Sequence, residues 1–157
     1  MSANNLVVER DQLAFTMSRV FNAQLERLWK ALVDPELIPA WWGPRYLTTT
    51  VDRLDLKVGG VWRFVQTDPE GNVHAFNGVY KVIEPPKRLA YTFEYEPMAG
   101  HISTDTITLE GLPGGKTKLT SRSTFSSLED LEGMLQSGME GGAVETWDRL
   151  EELLVRV

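Results

Sequence analysis

The chain contains no cysteine. Disulfides, thiolate nucleophiles, iron–sulfur clusters and cysteine-held zinc are therefore excluded. Histidine is scarce: His74 and His101 are the only two, and without a matching spacing or carboxylate partner they do not make a metal site. They predict exposed strand-end residues, with acid–base work at a cavity rim as the alternative, and no metal or other cofactor is expected. Lysine and arginine form no cluster, and the formal net charge is −6. The basic stripe that holds nucleic acid or an anionic membrane is missing, so neither is expected as a partner. No apolar run approaches the ~20 residues that cross a bilayer, which excludes membrane insertion by a helix. The opening "MSANNLVVERDQ" lacks the regions of a secretory signal, and the expectation is a cytoplasmic protein. There is no G-x-S-x-G elbow, and "GLPGGK" (111–116) lacks the spacing of a phosphate-cradling loop.

What is present is ordinary globular composition: 157 residues, 42% hydrophobic and 24% charged. This fits a single domain over 1–157, with residues 1–10 as an extension that can add a strand or stay partly ordered. Turn signals punctuate the middle at "DPEGN", "EPPKR", "EPMAG" and "GLPGGK". The stretches between them alternate with the strand period. Leu89, Tyr91, Phe93 and Tyr95 share one face. Trp62, Phe64 and Gln66 share another, as do Asp105, Ile107 and Leu109, and Leu119, Ser121, Ser123 and Phe125. Around 73–83 both faces carry apolar groups. The presence of Lys81 and Asn77 on one set favours Phe76, Gly78, Tyr80 and Val82 inward, although a bulge would allow either face. Leu13, Phe15, Met17 and Phe21 mark a first strand, and Tyr46–Leu54 another.

Two segments change to the helical period. Leu25, Leu28, Trp29 and Leu32 form one stripe, ended near Pro35, where Asp34 can cap the next turn. Ser127 opens a second helical region. A break is expected near Ser137–Gly138, followed by a long helix with the stripe Met139, Ala143, Trp147, Leu150 and Leu154. Glu145 and Arg149 are placed to pair on its wet face. The order is strand, short helix or two, about six strands, long helix. That predicts an α+β grip: a curved antiparallel sheet of about 6–7 strands wrapped around the C-terminal helix.

A curved sheet touches a straight helix along a line, which leaves room for a cavity. The candidate lining is Trp42, Trp62, Phe64, Tyr80, Tyr91, Phe93, Asp105, Ser121, Ser123 and Trp147. Asp105 is a carboxylate on an apolar face, so it is paired, solvated or shifted in pKa; it binds a ligand hydroxyl or acts as a base if it borders a cavity, and otherwise the register places it outside. Ser121 and Ser123 read as hydrogen-bonding lining rather than nucleophiles. In "IPAWWGPRY" (38–46) adjacent Trp41 and Trp42 cannot point the same way. Either one packs in the core and the other lines the cavity mouth, or both are core.

"RVFNAQLERLWKALVDPELIPAWWGP", "VGGVWRF", "NGVYKVIEPPKRLAYTFEY" and "SGMEGGAVETWDRLEELL" together resemble the SRPBCC superfamily, in the branch named for the activator of heat-shock protein 90 ATPase. The likeness runs from about Ala14 to Leu154. It departs near Gly142-Ala143, where many relatives carry a large aromatic and this chain has only small residues. The resemblance implies the helix-grip fold and a ligand-holding cavity, in a superfamily of lipid and polyketide binders, cyclases, dehydratases and chaperone cofactors. Three readings follow: a binder of a small apolar molecule, a chaperone cofactor acting by surface contact, and a cyclase- or dehydratase-like enzyme. No acid–base pair is visible, so binding leads; a homodimer stays open.

Overall fold

The computed structural model describes residues 5–156; residues 1–4 of the N-terminal extension lie outside that range. Eight strands form one antiparallel sheet. In chain order they are β1 (Asn5–Glu9), β2 (Ala14–Phe21), β3 (Thr48–Leu54), β4 (Val61–Thr67), β5 (Val73–Glu84), β6 (Arg88–Tyr95), β7 (Ser103–Leu112) and β8 (Lys116–Thr124). Three α-helices accompany them: α1 (Leu25–Val33), α2 (Leu128–Gln136) and α3 (Met139–Arg156). Across the sheet the order is β1-β2-β8-β7-β6-β5-β4-β3. Strands β3 to β8 are a meander, and β2 closes on the last of them. This is the helix-grip architecture the sequence predicts. The eighth strand is β1, supplied by the N-terminal extension; it pairs with β2 in the register Leu6↔Met17 and Val8↔Phe15.

The helix boundaries follow from local chemistry. The Asp130 amide donates to the Ser127 hydroxyl at 3.0 Å, capping α2. Gly138 adopts φ +84 between α2 and α3, a backbone that a side chain resists, and this is the expected break. After α1, the Asp34 carboxylate accepts from the Glu36 amide at 2.9 Å and starts the turn that leads to Ile38–Ala40. The stripe of α3 is buried as predicted: Leu150 and Leu154 are in the core, and the Trp147 ring meets Phe21 edge-on at 6.1 Å.

Two expectations are corrected. In β5 the register shifts between Tyr80 and Val82, so Val82 pairs with Ala90 and Ile83 with Leu89. Phe76 and Tyr80 face the sheet's inner side as expected. Beyond the bulge at Lys81 it is Ile83, not Val82, that packs on the core. Glu145 and Arg149 also do not depend on each other: the Arg149 guanidinium donates to the carbonyls of Gly43 (2.6 Å), Ala40 (3.1 Å) and Pro44 (3.2 Å). Carbonyls left free by a turn offer a fixed set of acceptors, whereas an exposed ion pair contributes little. Glu145 instead accepts from the Arg45 amide, and Arg45 bridges Glu152. The 40–45 turn is thereby clamped to α3.

Buried charge also shapes the core. Arg19 lies on the same face of β2 as Met17 and Phe21 and is 2% exposed. It donates to Asp148 of α3 at 2.8 Å and lies 4.0 Å from Glu151. A guanidinium taken from water requires such partners, so the contact fixes α3 over β2 as well as neutralising the charge. No helix among the described residues is long and apolar enough to cross a membrane.

Candidate functional site

Between the sheet and α3 there is a cavity of about 340 Å³, open on one side. It sits near the low end of the ~300–1,000 Å³ span of small-molecule pockets. Antiparallel register explains its floor. Phe15 pairs with Ser123, Ser123 with Asp105, Asp105 with Tyr91, and Tyr91 with Tyr80. Directly paired residues point to the same side of a sheet. The pairings therefore draw one row of polar side chains across β8, β7, β6 and β5, and every member lines the cavity. A second row, Met17, Ser121, Ile107 and Leu89, runs beside it.

The other wall is aromatic. The Trp42 ring packs against Phe64 (5.1 Å between centroids), Phe76 (5.3 Å) and Trp62 (6.3 Å), each close to edge-on. Trp62 in turn touches Tyr91 at 5.8 Å and Phe93 at 6.1 Å. Trp62 lies over β5 because Gly78 has no side chain; a Cβ there would run into the indole and the Thr92 carbonyl. Trp62 is 2% exposed, and its indole N–H has no acceptor among the described residues. A buried donor without a partner is costly.

The turn that carries Trp42 separates the two neighbouring tryptophans. Trp41 is buried, and its indole N–H donates to the Ala31 carbonyl of α1 at 2.8 Å. Trp42 is half-buried over the aromatic wall. Its carbonyl accepts from the Thr49 hydroxyl at 2.7 Å and from the Gln66 amide at 3.4 Å. Gly43 follows with φ +92, and the Gln66 amide occupies the place a Cβ would take. Only glycine meets both demands. Trp41 still reaches the cavity edge, so the two rings share the job of core and wall rather than dividing it.

The polar row is electrostatically unusual. Burial pushes the Asp105 carboxyl up to about 6, and the hydrogen-bonding Ser123 hydroxyl pulls part of the way back. Asp105 is partly exposed and lines the cavity. Burial also raises the Tyr80 phenol to about 12. Tyr91 is raised well above the usual phenol, first by burial and then by the charges of Asp105 and Tyr80. All three groups thus favour their neutral forms more than in water, Asp105 alone titrating near neutrality.

The ten residues named from the sequence all line this cavity: Trp42, Trp62, Phe64, Tyr80, Tyr91, Phe93, Asp105, Ser121, Ser123 and Trp147. Gln66, Phe76, Ser103 and Thr146 line it too. Alternation places Gln66 and Phe76 on inward faces, so their signal was present in the sequence; Thr146 falls on the same face of α3 as Met139, Ala143 and Leu150, but as a polar residue it does not belong to the apolar stripe. The histidines are elsewhere. His74 contacts the Tyr95 hydroxyl at 2.8 Å, and His101 contacts Asp130 at 2.8 Å, tying the β6–β7 loop to the start of α2.

Comparison with known proteins places this geometry. A solved protein of Rhodobacter sphaeroides is similar over 99% of this chain and 100% of its own, at 28% identity and a TM-score of 0.90. One from Arthrobacter aurescens, solved by NMR, matches over 98% and 92% at 27% identity and TM-score 0.89. The AHSA1 protein from Silicibacter pomeroyi, at 24% identity and TM-score 0.74 over 90% and 97%, shares the fold. No curated protein matches the chain. The family model described as "Activator of Hsp90 ATPase homolog 1-like protein" matches residues 22–155. That span holds α1, the Trp41-Trp42-Gly43 turn, the cavity strands β3 to β8 and nearly all of α3, and the chain accordingly belongs to the activator of Hsp90 ATPase homolog 1-like family, within the SRPBCC superfamily.

Proposed function

We propose that the protein binds a small, mostly apolar molecule in the cavity between its sheet and α3. The observation that carries this reading is the cavity's two-sided chemistry: an aromatic wall built on Trp42, Trp62 and Phe64, facing a row of polar groups centred on Asp105 and Tyr91. Apolar contact supplies affinity in such sites, and a few polar groups orient the ligand. The unpartnered indole N–H of Trp62 adds a donor that the protein itself does not use.

An apolar probe that enters should quench tryptophan emission, because Trp42 and Trp62 form the wall. Tyr91→Trp enlarges a side chain that projects into the space and should weaken the probe at least about tenfold while costing the fold about 1–3 kcal/mol. Equal binding by both proteins would remove the cavity from the account. The family description names a chaperone activator. Activity by surface contact would not depend on the cavity's volume, so Tyr91→Trp separates the two roles.

A further inference from the structure

Among the described residues, the cavity is lined by one acid and no base. Asp105 is the only carboxylate among its lining residues, and no lysine, arginine or histidine lines it. The titratable groups that face Asp105 are the phenols of Tyr91 on β6 and Tyr80 on β5; β8, α2 and α3 present only neutral side chains to the space. The protein treats its other buried charge differently. Arg19, 2% exposed beneath α3, is given Asp148 and Glu151, whereas Asp105 borders the cavity. A buried charge without a counter-charge is expensive, and a cavity lets an incoming group provide one.

The aromatic wall favours the same partner. Indole and phenol faces attract cations, and the rings of Trp42, Trp62 and Tyr91 border the space that Asp105 borders. Resting on the cavity-binding reading above, we infer that the ligand is an apolar molecule carrying a single amine, its ammonium held by Asp105 and its hydrocarbon body against Trp42, Trp62 and Phe93. The carboxyl titrates near 6, whereas an alkyl amine stays protonated to about pH 10.4. Both partners are charged above about pH 6, so amine binding strengthens as pH rises through that value and then levels off.

Titration calorimetry with three matched probes tests this: phenylbutylamine, phenylbutanol and phenylbutyrate, each against the wild-type protein and Asp105→Asn. At about pH 8 the amine should bind wild type at least about tenfold more tightly than the alcohol, and the carboxylate should bind worst. At about pH 5, where some nine-tenths of Asp105 is protonated, the amine should lose about tenfold. Asp105→Asn, which keeps the shape, should abolish the amine's advantage over the alcohol. If the alcohol binds and the amine gains nothing, or if the advantage survives in Asp105→Asn, the amine inference is overturned and cavity binding stands. If none of the three probes enters, both fall.

Discussion

Replacing Asp105 by asparagine should make this protein more stable. A carboxylate whose folded-state pKa is raised holds its proton to higher pH than the unfolded chain does. Between the two values the folded state binds more protons, so stability falls as pH rises; above the folded value the full penalty applies. Here the window runs from 3.8 to about 6. Two pKa units and a little more, at about 1.36 kcal/mol each, cost about 3 kcal/mol at pH 8, and about 1 kcal/mol at pH 4.5 where most of the penalty is still absent. Water entering the cavity lowers both figures. Asparagine carries no charge at either pH and preserves the side chain's shape. The stability difference, variant over wild type, should therefore grow by about 2 kcal/mol from pH 4.5 to pH 8. Urea unfolding followed by tryptophan emission measures it, and using the difference cancels every titration that the two proteins share. A difference that is constant with pH, or an asparagine variant that is less stable at pH 8, would refute the reasoning. A residue that costs stability is what a binding function leads one to expect.

Three further outcomes are expected. Trp147→Ala should destabilise by about 3–5 kcal/mol, because the ring is buried against Phe21; a loss under about 1 kcal/mol in chemical denaturation would mean that the ring merely borders open space. Gly43→Ala should cost more than the ~1–2 kcal/mol of a left-handed backbone, since the added methyl also meets the Gln66 amide. Combining it with Gln66→Ala should recover only part of the loss, and full recovery would show that φ +92 is not a constraint. Arg149→Ala should loosen the 40–45 turn and weaken an apolar probe at the cavity by about threefold or more, as its three carbonyl contacts hold the backbone on both sides of the Trp41-Trp42 pair; unchanged binding would exclude the clamp.

The period of the sequence carried the fold. Leu89, Tyr91 and Phe93 alternate without interruption between turns, and Trp147 and Leu150 keep a helical stripe despite the glycines before them, so face and element type were both legible. Inward faces then carried the cavity lining, because register in a meander with short turns leaves little freedom. What alternation could not reveal is a break in alternation. The bulge at Lys81 swaps Val82 for Ile83, and nothing in "VYKVIE" marks where it falls. Long-range polar contacts were equally hidden. Arg149 has a suitable acid one turn away at Glu145, yet its partners are carbonyls of the 40–44 segment, brought near only by the folded chain. Arg19 was visible as a basic residue within an apolar alternation, but its partners Asp148 and Glu151 come from the far end of the sequence. The strand added by β1 depends on pairing with β2 and not on a strong pattern of its own.

The most direct test of cavity binding uses the protein's own five tryptophans. Their indole N–H signals can be followed by NMR while phenylbutanol is titrated in. Trp42, Trp62 and Trp147 line the cavity, Trp41 reaches its edge with its N–H held by the Ala31 carbonyl, and Trp29 is buried in the core away from it. The account predicts saturable shifts for the first three with Trp29 unmoved, and loss of those shifts in Tyr91→Trp. Signals that stay fixed throughout, or a shift of Trp29 as large as that of Trp62, would contradict it.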